Sequence, residues 1–200
     1  MSTDKPIRYA AIVTAAGASE RMGRPKALVT LGGLPLLLHQ ARVLQAEPLL
    51  DPIVAVLGSE AEAIARAVAD WDTRLDLVRN PRWPEGRSSS LEVGARAVPN
   101  DVAGVLIVAV DQPLDPAVVR ALLAAGPADE VLVPIHAGRR GHPVLLPGAL
   151  LAELARASRH PEGLRDIVRS ARTRTIEVDS PRIHLDLNTP DAVRAAETGR

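Results

Sequence analysis

The chain has 200 residues, 46% hydrophobic and 24% charged, which gives one domain over residues 1–200 with enough chain for a full core and excludes wholesale disorder, a disulfide-held miniprotein and a membrane bundle. Twenty-four Lys and Arg cancel 24 Asp and Glu, so no global positive field exists to hold a nucleic acid, and any polyanion must be met locally. The absence of cysteine and Phe, with two Trp and one Tyr, excludes thiolate ligands and a Cys nucleophile and leaves an aliphatic core without base-stacking platforms.

Short β-branched runs alternate with Ala/Leu/Arg stretches, the rhythm of an α/β fold with a mainly parallel sheet. The first strand is Tyr9–Ala15, followed by a loop to Lys26 and a helix near Leu36–Gln45. Ala10–Ser19, bracketed by Arg8 and Glu20, reads as this strand and loop rather than as the apolar core of a signal peptide. No run approaches the roughly 18 to 20 apolar residues of a membrane span, and a cytoplasmic protein is expected. A second strand at Ile53–Leu57 leads to Ser59, a candidate cap for a helix ending near Trp71, and Leu75–Arg79 is a third strand.

The prolines and glycine of Asn80–Arg87 mark a loop, after which Ser88 or Ser89 can cap a helix to about Val98. Gly104–Val110 is apolar throughout, the pattern of a strand buried on both faces, and stops abruptly at Asp111-Gln112-Pro113. Strands are expected at Val131–Ile135 and Pro143–Leu146 around a bend containing Arg139 and Arg140, helices at Gly148–Ser158 and Pro161–Ser170, and strands near Arg174–Val178 and Ile183–Leu187. A last helix starts at Pro190. Ligands of open parallel sheets collect at the strands' carboxyl ends, so Ala15–Lys26, Gly58–Ser59 and Asp111 should meet on one edge.

The segment Ala15-Ala16-Gly17-Ala18-Ser19 is small enough for its amides to approach phosphate oxygens, and Arg21 and Lys26 add positive charge. Neither GxxxxGK[ST] nor GxGxxG is present, which sets aside a Walker-type NTPase and a dinucleotide-dependent redox enzyme. The histidines at 39, 136, 160 and 184 show no HExxH-type spacing, so zinc is not expected.

The order Ala15-Ala16-Gly17-x-Ser19-x-Arg21-Met22-Gly23-x-Pro25-Lys26 after a strand resembles the MobA-like nucleotidyltransferases, a family that includes molybdopterin guanylyl- and cytidylyltransferases and methylerythritol phosphate cytidylyltransferases. The resemblance continues through Asn80-Pro81-x-Trp83-x-x-Gly86, Ser90 and Gly94, Asp111-Gln112-Pro113, Gly141-His142-Pro143 and Asp186-Leu187-Asn188-Thr189-Pro190-Asp191. With Ala16 in place of a second glycine, it is most similar to the molybdenum cofactor cytidylyltransferase branch.

The resemblance implies a three-layer α/β/α, Rossmann-like fold and an Mg²⁺-dependent attack of an acceptor phosphate on the α-phosphate of a triphosphate, CTP favoured, with loss of pyrophosphate. Ala15–Ser19 would wrap the triphosphate, with Arg21 and Lys26 balancing developing charge. Asp111 would bind the metal with Asp186 as second ligand, Asn188 standing where the family pattern has a second acid. Asn80 and Ser90 would reach base and ribose, and His142, Arg139 and Arg140 a molybdopterin-type or other anionic acceptor. Structural readings stand beside these: helix caps for Ser88–Ser90 and for Asn188 or Thr189, a turn histidine, and exposed hairpin cations. A client molybdoenzyme or its chaperone is a possible partner; nucleic acid and membrane are not. The alternatives are GTP, a sugar or polyol phosphate acceptor, or a non-catalytic nucleotide- or cofactor-binding protein.

Overall fold

The computed structural model describes residues 7–19, 22–126 and 129–198. Strand β1 (Tyr9–Ala15) is followed by a small antiparallel pair, β2 (Thr30–Leu31) and β3 (Leu34–Pro35), and by helix α1 (Leu36–Gln45). Then come β4 (Leu50–Leu57), α2 (Ala61–Val68), β5 (Leu75–Arg79), α3 (Arg87–Ala97), β6 (Gly104–Ala109) and α4 (Pro116–Ala125). The second half holds β7 (Val131–His136), β8 (Arg139–Arg140), β9 (Val144–Pro147), α5 (Leu151–Leu154), α6 (Leu164–Ser170), β10 (Thr173–Glu177) and α7 (Pro190–Thr198).

The main sheet runs β10-β7-β9-β6-β1-β4-β5, with β8 pairing on β7. At its centre β1 is parallel to both β4 and β6, whereas β9 is antiparallel to β6 and β7. Alternation along β1 shows why it lies at the centre. Ala11, Val13 and Ala15 enter one apolar core and Ala10 and Ile12 the other, so the strand is buried on both faces. Helices α1, α2, α4 and α7 contribute to the first core and α3, α5 and α6 to the second, the layering expected of a three-layer α/β fold. A Cβ at Gly94 of α3 would lie 2.5 Å from Ile12 Cγ2, so this glycine lets the helix lie directly on the sheet.

Register fixes the site's position. Ala15 lies opposite Leu57 and Thr14 opposite Ala109, so β1, β4 and β6 end together and their loops emerge on one edge.

Several expected boundaries move. Ser59 does not cap α2: Glu60 precedes the helix with a φ of +53°, and the Ser59 N–H donates to Ala16 O at 3.0 Å. Gly86, not Ser88 or Ser89, occupies the N-cap of α3, and the Ser89 hydroxyl donates back to Gly86 O (2.8 Å) and Arg82 O (2.9 Å). The expected helix over Gly148–Ser158 is a four-residue α turn between two 3₁₀ turns. Ile183–Leu187 is not a strand. Pro181–His184 forms a 3₁₀ turn, and the backbone beyond it is engaged elsewhere, with the Leu187 N–H donating to Asp111 O at 2.8 Å. Asp115 caps α4, accepting from Ala117 N at 2.8 Å, and Thr189 Oγ1 accepts from Ala192 N in the first turn of α7.

Buried Glu92 ties α3 to the second half of the chain. One oxygen meets Arg82 Nη2 at 2.7 Å, and the other accepts from the Ser158 amide at 3.0 Å and from the Ser158 hydroxyl. Burial pushes the Glu92 carboxyl up, but the hydrogen bonds from Ser158 and Arg82 outweigh it and bring the pKa from 4.5 down to about 2. Because the folded value lies below the unfolded one, this stabilisation is complete above about pH 4.5 and is lost as pH falls toward 2. Glu92→Gln is expected to cost on the order of 2–3 kcal/mol in urea unfolding at pH 7. Stability measured from pH 5 to 3 should fall more steeply for the parent than for the variant.

Candidate active site

The loop after β1 is shaped by its own small residues. Ser19 adopts a φ of +56°; its hydroxyl donates to Gly17 O (3.3 Å) and accepts from the Lys26 amide (2.9 Å), folding the loop's two ends together. Its outer side is set by Gly58, where a Cβ would lie 2.5 Å from Ala16 O and from Trp83 Cβ. Any larger residue there would displace the loop. Arg21, expected to neutralise phosphate, lies outside the described residues.

Lys26 crosses from this loop to the end of β6. Its Nζ lies 2.6 Å from Asp111 Oδ2 and also donates to Asn188 Oδ1, and both members of the ion pair are largely shielded from solvent. The Asp111 turn is held from behind by Gln40 of α1, a fully buried side chain. Gln40 Nε2 donates to the carbonyls of Gln112 (2.7 Å), Val110 (3.2 Å) and Ala109 (3.4 Å), and its Oε1 accepts from Leu114 N at 3.1 Å. A buried amide whose donors and acceptor are all used fixes a loop tightly, because any displacement leaves polar groups unpaired away from water.

These pieces enclose a cavity of about 580 Å³, within the range of small-ligand sites. Of the residues singled out in the sequence, Ala15, Ala16, Gly17, Ala18, Ser19, Lys26, Ser90 and Asp111 line it, together with Trp83, Gly86 and Arg87. Asn80 does not. It is fully buried behind the wall, where Nδ2 donates to Ser89 Oγ (2.9 Å) and Ser90 Oγ (3.0 Å) and Oδ1 accepts from Arg82 N (2.9 Å). Asn80 therefore sets the serines and the Arg82–Gly86 loop and is out of reach of a base or ribose.

The chain's second half supplies another set of charges. His142 lies in a small recess with Gln112, Pro113 and Arg182. Burial pushes its pKa below the ordinary histidine value; Arg87 and Arg165 act in the same sense and Asp186 and Asp111 against it. The imidazole is therefore neutral at pH 7 and able to accept as well as donate. Arg87, in the first turn of α3, keeps contact with solvent along its length. Desolvation of its guanidinium nevertheless lowers its pKa, Asp111 and Asp186 oppose that shift, and Arg165 adds to it. Asp111 and Asp186 thus act on both Arg87 and His142, but of the four only Arg87 and Asp111 line the cavity.

Sequence reasoning passed over Arg87, Arg165 and Gln40. For Arg87 there was one signal, its position between Gly86 and Ser88–Ser90 where a helix begins. Arg139 and Arg140 were expected at the acceptor, but they form β8, exposed on the outer end of β7, and do not line the cavity.

Among the described residues no cluster of three or more His, Cys, Asp or Glu converges to hold a metal. Asp111 and Asp186 are two carboxylates whose backbones are joined through the Leu187–Asp111 hydrogen bond. Carboxylate oxygens are hard donors, of the chemistry that a divalent cation such as Mg²⁺ takes. No helix among the described residues is long and apolar enough to cross a membrane.

The same arrangement of chain is found in other proteins. The chain is similar to the 2-C-methyl-D-erythritol 4-phosphate cytidylyltransferase of Streptomyces coelicolor, at 31% identity over 183 residues covering 86% of this chain and 63% of that relative. The chain therefore spans less than two thirds of that relative's length. It is also similar to the crystal structure of Rv0371c from Mycobacterium tuberculosis, with a TM-score of 0.82, 30% identity and coverage of 96% of this chain and 98% of that one. A structure of Rv0371c in complex with manganese matches at TM-score 0.78 and 28% identity, covering 96% of this chain and 100% of that one. The molybdopterin-guanine dinucleotide biosynthesis protein A of Archaeoglobus fulgidus shares the fold, with a TM-score of 0.68, 18% identity and coverage of 94% of this chain and 97% of that one. Residues 11–176, which contain the small-residue loop, Lys26, Asp111 and all but the first and last residues of the central sheet, match the MobA-like NTP transferase domain, and the chain belongs to that family.

Proposed function

We propose that this chain transfers a nucleotidyl group, CMP from CTP by preference, to a phosphate oxygen of a small phosphorylated acceptor. The observation that carries this reading is the convergence of the Ala15–Ser19 loop with Lys26 and Asp111 in one cavity. In the reaction an acceptor phosphate oxygen attacks the α-phosphorus, a new P–O bond forms, and the bond to the β-phosphate oxygen breaks as pyrophosphate leaves. Positioning and charge stabilisation supply such catalysis, and no covalent enzyme intermediate is needed.

The loop amides and Lys26 hold the triphosphate, and Ser90 with Trp83 forms the wall toward the nucleoside. Asp111 and Asp186 would hold Mg²⁺, which neutralises phosphate charge when bound; the manganese complex of Rv0371c supports divalent-metal use. Arg87 and neutral His142 receive the acceptor phosphate, the guanidinium as a forked donor and the imidazole as a partner that adds no charge.

A polyol or sugar phosphate is the favoured acceptor. It accords with relatives named 2-C-methyl-D-erythritol 4-phosphate cytidylyltransferase, whereas the molybdenum-cofactor protein from Archaeoglobus shares only the fold. This reverses the order given by the sequence motifs, in which a molybdopterin-type acceptor came first.

Pyrophosphate release should be measured for CTP, GTP, UTP and ATP against 2-C-methyl-D-erythritol 4-phosphate, a sugar 1-phosphate and molybdopterin. Release with CTP and the polyol phosphate is expected; release with molybdopterin alone would restore that acceptor, and none with any pair would refute the activity. In the productive pair, Asp111→Asn is expected to lower kcat by about 100-fold or more, with the chain still folded but its thermal midpoint lowered because the shielded Lys26 loses its carboxylate. Arg87→Ala should raise the acceptor KM roughly 10- to 100-fold, the loss of one charge-assisted contact. The Arg139→Ala/Arg140→Ala pair should stay within about twofold of the parent.

A further inference from the structure

A second cavity, of about 460 Å³, lies between α1, the β2–β3 hairpin and α7, and shares no lining residue with the nucleotide cavity. We propose that it is a binding site for a small organic anion with an apolar body. Its size is that of a small-ligand site, and its composition is that of one as well: apolar walls with a few convergent polar groups.

Leu31, Leu34, Val43 and Leu185 supply the walls, and Arg42 and Arg182 bring guanidinium groups from two different parts of the chain. Both arginines act on the same imidazole. Burial lowers the His39 pKa first, and Arg182 and then Arg42 lower it further, so His39 is neutral and two cations lie near one ring. His39 lines the cavity, while its Nδ1 is packed against protein and has no hydrogen-bond partner among the described residues, so any contact the ring makes with an occupant is made by its other edge. The one acid lining it, Glu197, is engaged with the Gly32 N–H at 3.2 Å, and the lining carries a net charge of one positive with His39 neutral. Arg42 is already placed by its stacking over Trp71, 5.9 Å from the ring centroid. An anion whose charge reaches the arginines while its hydrocarbon rests on the leucines and valine pairs both guanidinium groups and covers the apolar wall.

The occupant would touch the supports of Asp111. Helix α1 gives His39 to this cavity and Gln40, the next residue, to the clamp on the Asp111 turn. Pro113 of that turn forms part of the wall, and Leu185 leads into Asp186 and the Leu187 N–H that holds Asp111 O. The site is therefore separate from the nucleotide but mechanically continuous with the residue proposed to hold its metal.

The test is amide NMR of the full chain titrated with n-hexyl phosphate, n-hexanol and hexyltrimethylammonium, none of which requires the enzyme to turn over. Hexyl phosphate is expected to shift the amides of Gly32, Val43 and Ala196, with Gln112 following, while Gly17 and Ser90 stay in place. Hexanol should bind at least about tenfold more weakly, and the ammonium not at all. Arg42→Gln/Arg182→Gln, both at exposed positions, should weaken hexyl phosphate by about tenfold or more, and Val43→Trp should fill the cavity and abolish the shifts. The proposal fails if hexyl phosphate shifts only Gly17 and Ser90, if hexanol binds equally well, if the double variant binds unchanged, or if no amide moves.

Discussion

The ion pair between Lys26 and Asp111 is the contact around which the site is built. Lys26 belongs to the loop after β1 and Asp111 to the end of β6, and a 2.6 Å approach between them requires the two strands to be neighbours in parallel register. Ser19 holds the lysine's backbone, Gln40 holds the aspartate's turn, and Asn188 brings the last turn before α7 to the same ammonium. A charged pair so shielded from water is costly to keep apart and costly to leave half-made. The supporting hydrogen bonds are what make its geometry single-valued, since each would leave a polar group unpaired if the loop moved.

The central strands β1 and β6 were legible in the sequence because burial on both faces leaves them almost wholly apolar; β1 has the expected ends and β6 stops one residue short, while β5 has the expected ends although it is a half-exposed edge strand. The loop residues that line the cavity were legible too, because small size, cations and a preceding strand are local properties. What escaped the sequence was set by tertiary contacts. Ile183–Leu187 alternates like a strand, but the Leu187 amide goes to Asp111, and no strand partner is taken. Asn80 has the chemistry to read a base, but it is spent on Ser89 and Ser90 behind the wall. Arg87 and the Asp111–Asp186 pair are separated by up to about a hundred positions of chain, and only the crossing of the sheet's edge brings them under one field.

The division of labour within the molecule follows from the same geometry. Parallel strands β1, β4 and β6 give a rigid edge, from which the proposed triphosphate site takes its backbone amides and Lys26. The later segments, from the bend at Gly141–Pro143 to the turn at Pro181–His184, deliver side chains to the proposed acceptor side through long connections. A Cβ at Gly141 would lie 2.4 Å from Ile183 O, so these two connections are packed against each other, and the position of His142 depends on both. Acceptor choice in such an architecture is set by residues far apart in sequence, which is why motifs identify the chemistry more readily than the substrate.

The central claim is that Lys26 and Asp111 form the triphosphate and metal end of a nucleotide site. The most direct test is calorimetric titration of CTP into the parent chain and into Lys26→Met, each with and without Mg²⁺. The account predicts binding by the parent that strengthens with Mg²⁺ and a loss of about tenfold or more in the variant, one charge-assisted phosphate contact having been removed. Equal affinity in parent and variant, or binding indifferent to the metal, would contradict it.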